Sequence, residues 1–241
     1  MSSPLRPVAM RDTGRRIDVP LALLTWLAAW LLGQIVAVVV YSMGGYENVD
    51  EVPIGVLFVS QLLVWGIFIA AMVAASRRGG TGDFRNDYQL DGRGVDLLGV
   101  PIGVLTQLVL VPLVYLPLER LWEDVFTEER LTENAKDLVD RASGGSMVLL
   151  VVMVCVGAPL VEELVYRGLV QGSLADRVNP LPAWLAASAL FAVVHFRPVE
   201  YPGLLVIGLV CGACALVTGR LGMAIACHIG FNVTGLLLAV N

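Results

Sequence analysis

The run Ala142–Val161, ASGGSMVLLVVMVCVGAPLV, holds no Asp, Glu, Lys or Arg over 20 residues, and Glu162, Glu163 and Arg167 follow it at once. About 20 apolar residues in a helix cross a hydrocarbon core roughly 30 Å thick, so the run reads as a membrane span. The charges that end it are set among further apolar residues, Leu164, Val165, Leu169 and Val170. Charge at that depth costs about 2.5–3.5 kcal/mol per residue on insertion scales. A chain keeps such groups where they pair, face a protein-lined cavity, or do chemistry.

Working outward, the same pattern recurs six more times. Val19–Tyr46, Val52–Ser76, Leu97–Leu118, Val178–Phe196, Tyr201–Gly219 and Leu221–Asn241 are each free of charge over 19 residues or more. Irregular backbone facing lipid would leave peptide groups unpaired, so these runs are expected to be helices. The expected fold is therefore all-α, a polytopic membrane helix bundle of about seven transmembrane helices. A composition of 57% hydrophobic and 15% charged residues agrees, since soluble domains carry about 25% charged. We find no nucleotide-binding glycine loop, internal repeat or soluble domain. The lipid bilayer is the expected medium, and no nucleic acid is an expected partner.

The division expected along the chain is a basic arm over 1–18, N-terminal transmembrane helices and loops over 19–145, and a helical core over 146–241, all within one membrane domain. The first apolar run is too long for a signal peptide and no small-residue cleavage site closes it, so it reads as a retained helix. Arg6, Arg11, Arg15 and Arg16 lie in the arm, and Arg77, Arg78, Arg85 and Arg93 in the second connection. The first connection holds only acids, and Glu119–Arg141 has eight acids against four bases. The excess of arginine on alternate connections places the N-terminus in the cytoplasm. Seven spans then put the C-terminus outside.

Leu121, Val125, Leu131, Leu138 and Val139 recur at near-helical spacing among the charges of the third connection. They suggest an amphipathic helix on the membrane surface, capping the bundle or solvated. Pro101, Pro112 and Pro117 should kink the third span, and Pro159 should bend or open the fourth near its carboxylates. Cys155, Cys211, Cys214 and Cys227 all fall within apolar runs; Cys211-x-x-Cys214 has redox-like spacing in a Gly/Ala-rich setting that favours packing.

Glu163 and Arg167, four apart, share a helix face and can pair. Glu162 is rotated about 100° from Glu163 and cannot share that geometry equally. One carboxylate is thus neutralised and the other is left for the bundle interior, where it suits general acid–base work. The only two histidines both lie in apolar runs: Phe191-x-x-x-His195 and His228-x-x-x-Asn232 each put two such side chains on one helix face. Counted at about 1.5 Å per residue from the expected cytoplasmic ends, Glu162 and His228 lie roughly 8 and 10 Å deep, but His195 roughly 20 Å.

Glu162-Glu163-x-x-x-Arg167, then Phe191-x-x-x-His195, then His228-x-x-x-Asn232, in that order on successive helices, resembles the CPBP (CAAX protease and bacteriocin-processing) family, whose eukaryotic relatives are the type II CAAX prenyl endopeptidases. The resemblance covers roughly Leu150–Val240, and makes 146–241 a catalytic core. It implies an intramembrane endopeptidase in which Glu162 and His195 hold and deprotonate a water, His228 and Asn232 hydrogen-bond the oxyanion, and Glu163 with Arg167 locks the helix. Phe191 gives aromatic support. The implied partner is a peptide or protein substrate, C-terminal or membrane-anchored segments included.

No cofactor is required by this chemistry. A divalent metal such as zinc is compatible with donors of this kind, with Glu162, His195 and His228 as the ligands, but the chain lacks His-Glu-x-x-His and the metal-free reading is preferred. Two other classes compete. A non-catalytic immunity or scaffold protein of the same family would act by occupying a partner. A proton-coupled transporter would use the same buried groups as a relay, but the matched, Gly/Pro-broken halves of such folds are missing. Lys136 is the only lysine, and the arginine-rich composition fits a GC-rich bacterial genome and a bacterial cell membrane.

Overall fold

The computed structural model describes residues 17–175 and 177–240. The four arginines of the expected N-terminal arm lie outside the described residues. The described chain is helical throughout, with no strand: α1 (Val19–Met43), α2 (Ile54–Gly79), α3 (Gly94–Leu121), α4 (Glu128–Asp140), α5 (Gly145–Ala175), α6 (Pro180–Val193), α7 (Tyr201–Thr218) and α8 (Gly222–Val240). Six of these are long and apolar enough to cross a bilayer; α6, with 14 residues, is shorter. At 1.5 Å per residue it covers about 21 Å, less than the hydrocarbon thickness. The chain is an integral membrane helix bundle, and aliphatic residues of α1, such as Leu24, Ile35 and Val38, line its outer surface as lipid requires.

Helix starts follow local chemistry. The Asp18 carboxylate accepts from the Leu21 N–H at 2.9 Å, Thr127 caps α4 through Arg130, and Asn179 caps α6 through Leu181 just ahead of Pro180. Each satisfies an N–H that the helix leaves without a partner. At the far end of α7, Gly219 takes φ 63°, the left-handed conformation that ends a helix cheaply only for glycine.

The disruption expected at proline takes a particular form. α3 passes through a stretch of π-helix at Thr106–Leu110 just before Pro112, and α5 through one at Val152–Gly157 just before Pro159. A proline ring collides with the carbonyl four residues earlier, and a wider turn there lets the helix continue instead of breaking. α5 then widens again over Leu164–Gln171, immediately after the two glutamates. The amphipathic stretch of the third connection is divided. Leu121 ends α3 and Val125 lies in the turn, both exposed, while Leu138 and Val139 of α4 pack against the bundle beside Ile54, Ala142 and Leu150. Arg141 ties α4 down by donating to the carbonyls of Val49, Asp50 and Val52.

Backbone-to-backbone packing brings α8 against α3. A β-carbon on Gly103 would overlap the Cys227 carbonyl, and one on Gly230 would overlap that of Val100. At the same end, Arg220 clamps Asp96 with two hydrogen bonds of 2.9 and 2.6 Å, closing the α7–α8 turn onto the start of α3. Since backbone cannot step aside as a flexible side chain can, Gly103→Ala should destabilise the bundle by about 1–3 kcal/mol. Thermal unfolding in detergent checks this; a wild-type midpoint would show that the two helices can separate freely.

Candidate active site

The polar centre is built on α5. Glu163 and Arg167 lie wholly buried, one turn apart, and Arg167 Nη1 donates to Glu163 Oε1 at 2.8 Å. The other guanidinium nitrogen, Nη2, donates to the Gly208 carbonyl of α7 at 2.8 Å. The guanidinium also lies over the Phe191 ring, 4.9 Å from its centroid. Gln171, one turn on, repeats the device with the carbonyl of Gly212 at 3.1 Å. Two α7 carbonyls four residues apart, those of Gly208 and Gly212, thus receive two polar side chains of α5, while a β-carbon on Gly208 would press on Ser188 and Phe191 of α6 and one on Gly212 would overlap Trp184 and Gln171. The spacing is visible in the sequence as a close-packing signal. Its use as a carbonyl ladder depends on where α5 lies.

His228 of α8 stands between the two glutamates. Its Nδ1 is 2.8 Å from Glu163 Oε1 and its Nε2 is 3.7 Å from Glu162 Oε2. Glu163 Oε1 therefore meets both Arg167 and His228, while the side chain of Glu162 keeps 27% of its surface exposed. The pairing expected for Glu163 and Arg167 is present, and the neighbouring carboxylate is directed elsewhere. The contact between Glu163 and His228 was not foreseeable from spacing, since 65 residues separate them.

His195 lies just beyond the end of α6, in a turn rather than within a span. Its Nδ1 is 2.7 Å from the Phe191 carbonyl. A carbonyl can only accept, so Nδ1 carries the hydrogen and Nε2 offers a lone pair. The next residue, Phe196, takes φ 53°, a strained conformation for a bulky side chain, and its ring stacks on Trp30 of α1 at 5.9 Å. Tyr115 of α3 holds the same connection by donating to the Val199 carbonyl. Burial pushes up the carboxyl of Glu200, which precedes α7, against the opposing influence of Arg197 and His195.

Phe191 unites the two histidines. Its ring centroid is 4.9 Å from that of His195 and 5.7 Å from that of His228, edge-on to both. Both imidazoles, counted at unequal depths from the sequence, thus lie against one ring. Among the described residues His195 makes no direct ion pair with Glu162. Asn232 reaches across to α5, where Nδ2 donates to the Val154 carbonyl at 2.8 Å. That bond uses one of its two amide hydrogens.

The trio expected to hold any metal, Glu162, His195 and His228, does not converge. The compact set of potential ligands among the described residues is instead Glu163, Cys211 and His228, whose donor atoms lie within 4.8 Å of one another. This set fits a dication poorly: Glu163 is already neutralised by a guanidinium at 2.8 Å, which would repel the ion. The cysteines are free and buried, and Cys211 donates to the Ala224 carbonyl at 3.6 Å.

A buried Glu–Arg–His cluster inside a helical membrane bundle sets titratable side chains among helices that are otherwise apolar. Residues 144–234 match the family model described as Type II CAAX prenyl endopeptidase Rce1-like. The matched segment runs from α5 to α8 and carries all three motifs on which the resemblance to the CPBP and CAAX-protease family rests. Neither a curated protein nor a solved structure matches it.

Proposed function

We propose that this chain is an intramembrane endopeptidase of the CAAX type, hydrolysing a peptide bond with a water activated by glutamate and histidine. The observation that carries this is the 3.7 Å approach of His228 Nε2 to Glu162 Oε2, beside a second carboxylate already paired with Arg167. One acid is thereby committed to structure and one is left as a base, partly open, next to an imidazole. Glu162 takes the proton of the attacking water. His195, with its Nε2 lone pair, orients that water. As charge develops on the carbonyl oxygen, donors from His228 and the second amide hydrogen of Asn232 stabilise it.

No metal is needed for these steps, and the guanidinium beside Glu163 argues against one there. The family's printed description names a prenyl endopeptidase, so the substrate class put forward is a prenylated C-terminal tail, presented from the bilayer. In this reading the N-terminus faces the cytoplasm of a bacterial cell.

The test is direct. The purified chain in lipid vesicles should release the last three residues from a farnesylated peptide ending in Cys-aliphatic-aliphatic-X, and should cleave the unprenylated peptide far more slowly. Equal rates would remove the prenyl group from the proposal. Absence of cleavage with both, from protein shown to be folded, would favour the binding and immunity reading instead.

A further inference from the structure

Glu163 has a second partner that the pairing with Arg167 does not account for. Its Oε1 accepts from Arg167 Nη1 and lies equally close, 2.8 Å, to His228 Nδ1. In its ion pair with Arg167 the Glu163 oxygen accepts, and a carboxylate oxygen so paired can only accept from His228 as well. The hydrogen between Glu163 and His228 therefore belongs to Nδ1. When neutral, His228 then has no hydrogen at Nε2, the atom that faces Glu162. Such an imidazole is a proton acceptor toward the reaction, and it becomes an oxyanion donor only after it has taken up a proton.

We propose, on the footing of the protease reading above, that Glu163 is a positioning residue that holds His228 in the Nδ1–H form, so that Nε2 carries the proton between Glu162 and the leaving amine. The groups facing His228 permit this. Glu162 and Glu163 come from α5 with Arg167 behind them, Phe191 from α6, and Cys211 from α7. Two carboxylates and one guanidinium leave one net negative charge, which an imidazolium would cancel. The water's oxygen bonds to the carbonyl carbon and its proton goes to Glu162. That proton passes to Nε2, giving an imidazolium that donates to the oxyanion. The proton then moves to the amide nitrogen as the C–N bond breaks, and neutral His228 returns. The logic is that of the buried aspartate in serine-protease triads, which sets the tautomer of its histidine without itself becoming protonated.

The chain has only two histidines, so ring-¹⁵N-histidine NMR of the full-length protein in detergent or lipid reads both. His195→Asn assigns the remaining signal to His228. Nδ1 of His228 should be protonated in the wild type, whether or not Nε2 is also protonated. A spectrum with Nε2 protonated and Nδ1 bare overturns the proposal, with no variant of Glu163 needed. In Glu163→Leu combined with Arg167→Met, which removes the acceptor at Nδ1 without stranding a buried charge, the preference for Nδ1–H should be lost at His228 and kept at His195, whose partner is a backbone carbonyl. An unchanged His228 signal in that folded variant would return Glu163 to a purely structural role. On the farnesylated peptide the same variant should lose about 10²–10⁴-fold in kcat, with KM within about twofold. The spectrum does not depend on turnover, so a protein with the expected tautomer but no cleavage would indict the protease reading alone.

Discussion

Glu162→Gln should abolish cleavage while leaving the bundle folded. The substitution keeps the side chain's shape and exchanges a carboxylate for an amide that accepts no proton. The residue keeps 27% of its side-chain surface exposed, and His228 Nε2 lies 3.7 Å from its carboxylate. Little packing is therefore disturbed. Loss of a positioned general base costs about 10²–10⁴-fold in rate, so the variant's turnover of the farnesylated peptide should fall by at least the lower figure. Thermal unfolding, measured in parallel, should stay close to wild type. A variant retaining more than a tenth of the activity would show that Glu162 is not the base. If it lacks cleavage and yet performs the chain's cellular role unchanged, the scaffold reading gains.

The largest effect on stability is expected at Arg167. Its guanidinium contacts three elements: Glu163 on its own helix, the Gly208 carbonyl on α7 and the Phe191 ring on α6. In Arg167→Met the Glu163 carboxylate stays fully buried with its main counter-charge removed. Breaking a buried pair this way costs about 3–5 kcal/mol, a large part of the 5–15 kcal/mol that holds a typical domain together. Removing both charges should be less harmful than removing one, because neither ion then needs to leave water. Arg167→Met combined with Glu163→Leu should thus recover much of the unfolding midpoint lost in the single variant, while remaining inactive. Equal stability of Arg167→Met and wild type in a thermal unfolding assay would mean that Glu163 finds another partner or takes up a proton.

The legible parts of the site share one property: they lie close in sequence. Glu163 and Arg167 are one turn apart, and so are Phe191 with His195 and His228 with Asn232. Helical periodicity alone put Glu163 with Arg167 and His228 with Asn232 on common faces, whereas Phe191 and His195 meet although His195 lies in the turn after α6. What joins the pairs was not legible. The contact of His228 with Glu163, the reach of Arg167 to Gly208, and the bond from Asn232 to Val154 each link different helices across 41 to 78 residues. In a strongly apolar helix such as α7 or α8, nearly every face is hydrophobic. Amphipathic patterning, which orients helices in soluble proteins, therefore has little to work with.

The amino-acid sequence by itself determined that the chain is a helical membrane protein, where its helices run, and which few side chains within them are too polar to be there for packing. It did so because lipid imposes a length and a composition on each helix separately. Only the tertiary structure decided how those side chains divide their work: Glu163 serves both Arg167 and His228, Glu162 keeps a partly open carboxylate, and the compact set of potential ligands among the described residues is Glu163, Cys211 and His228. That division depends on which helix faces meet. Close backbone contacts such as Gly103 on Cys227 settle it, and no local period in the chain records them.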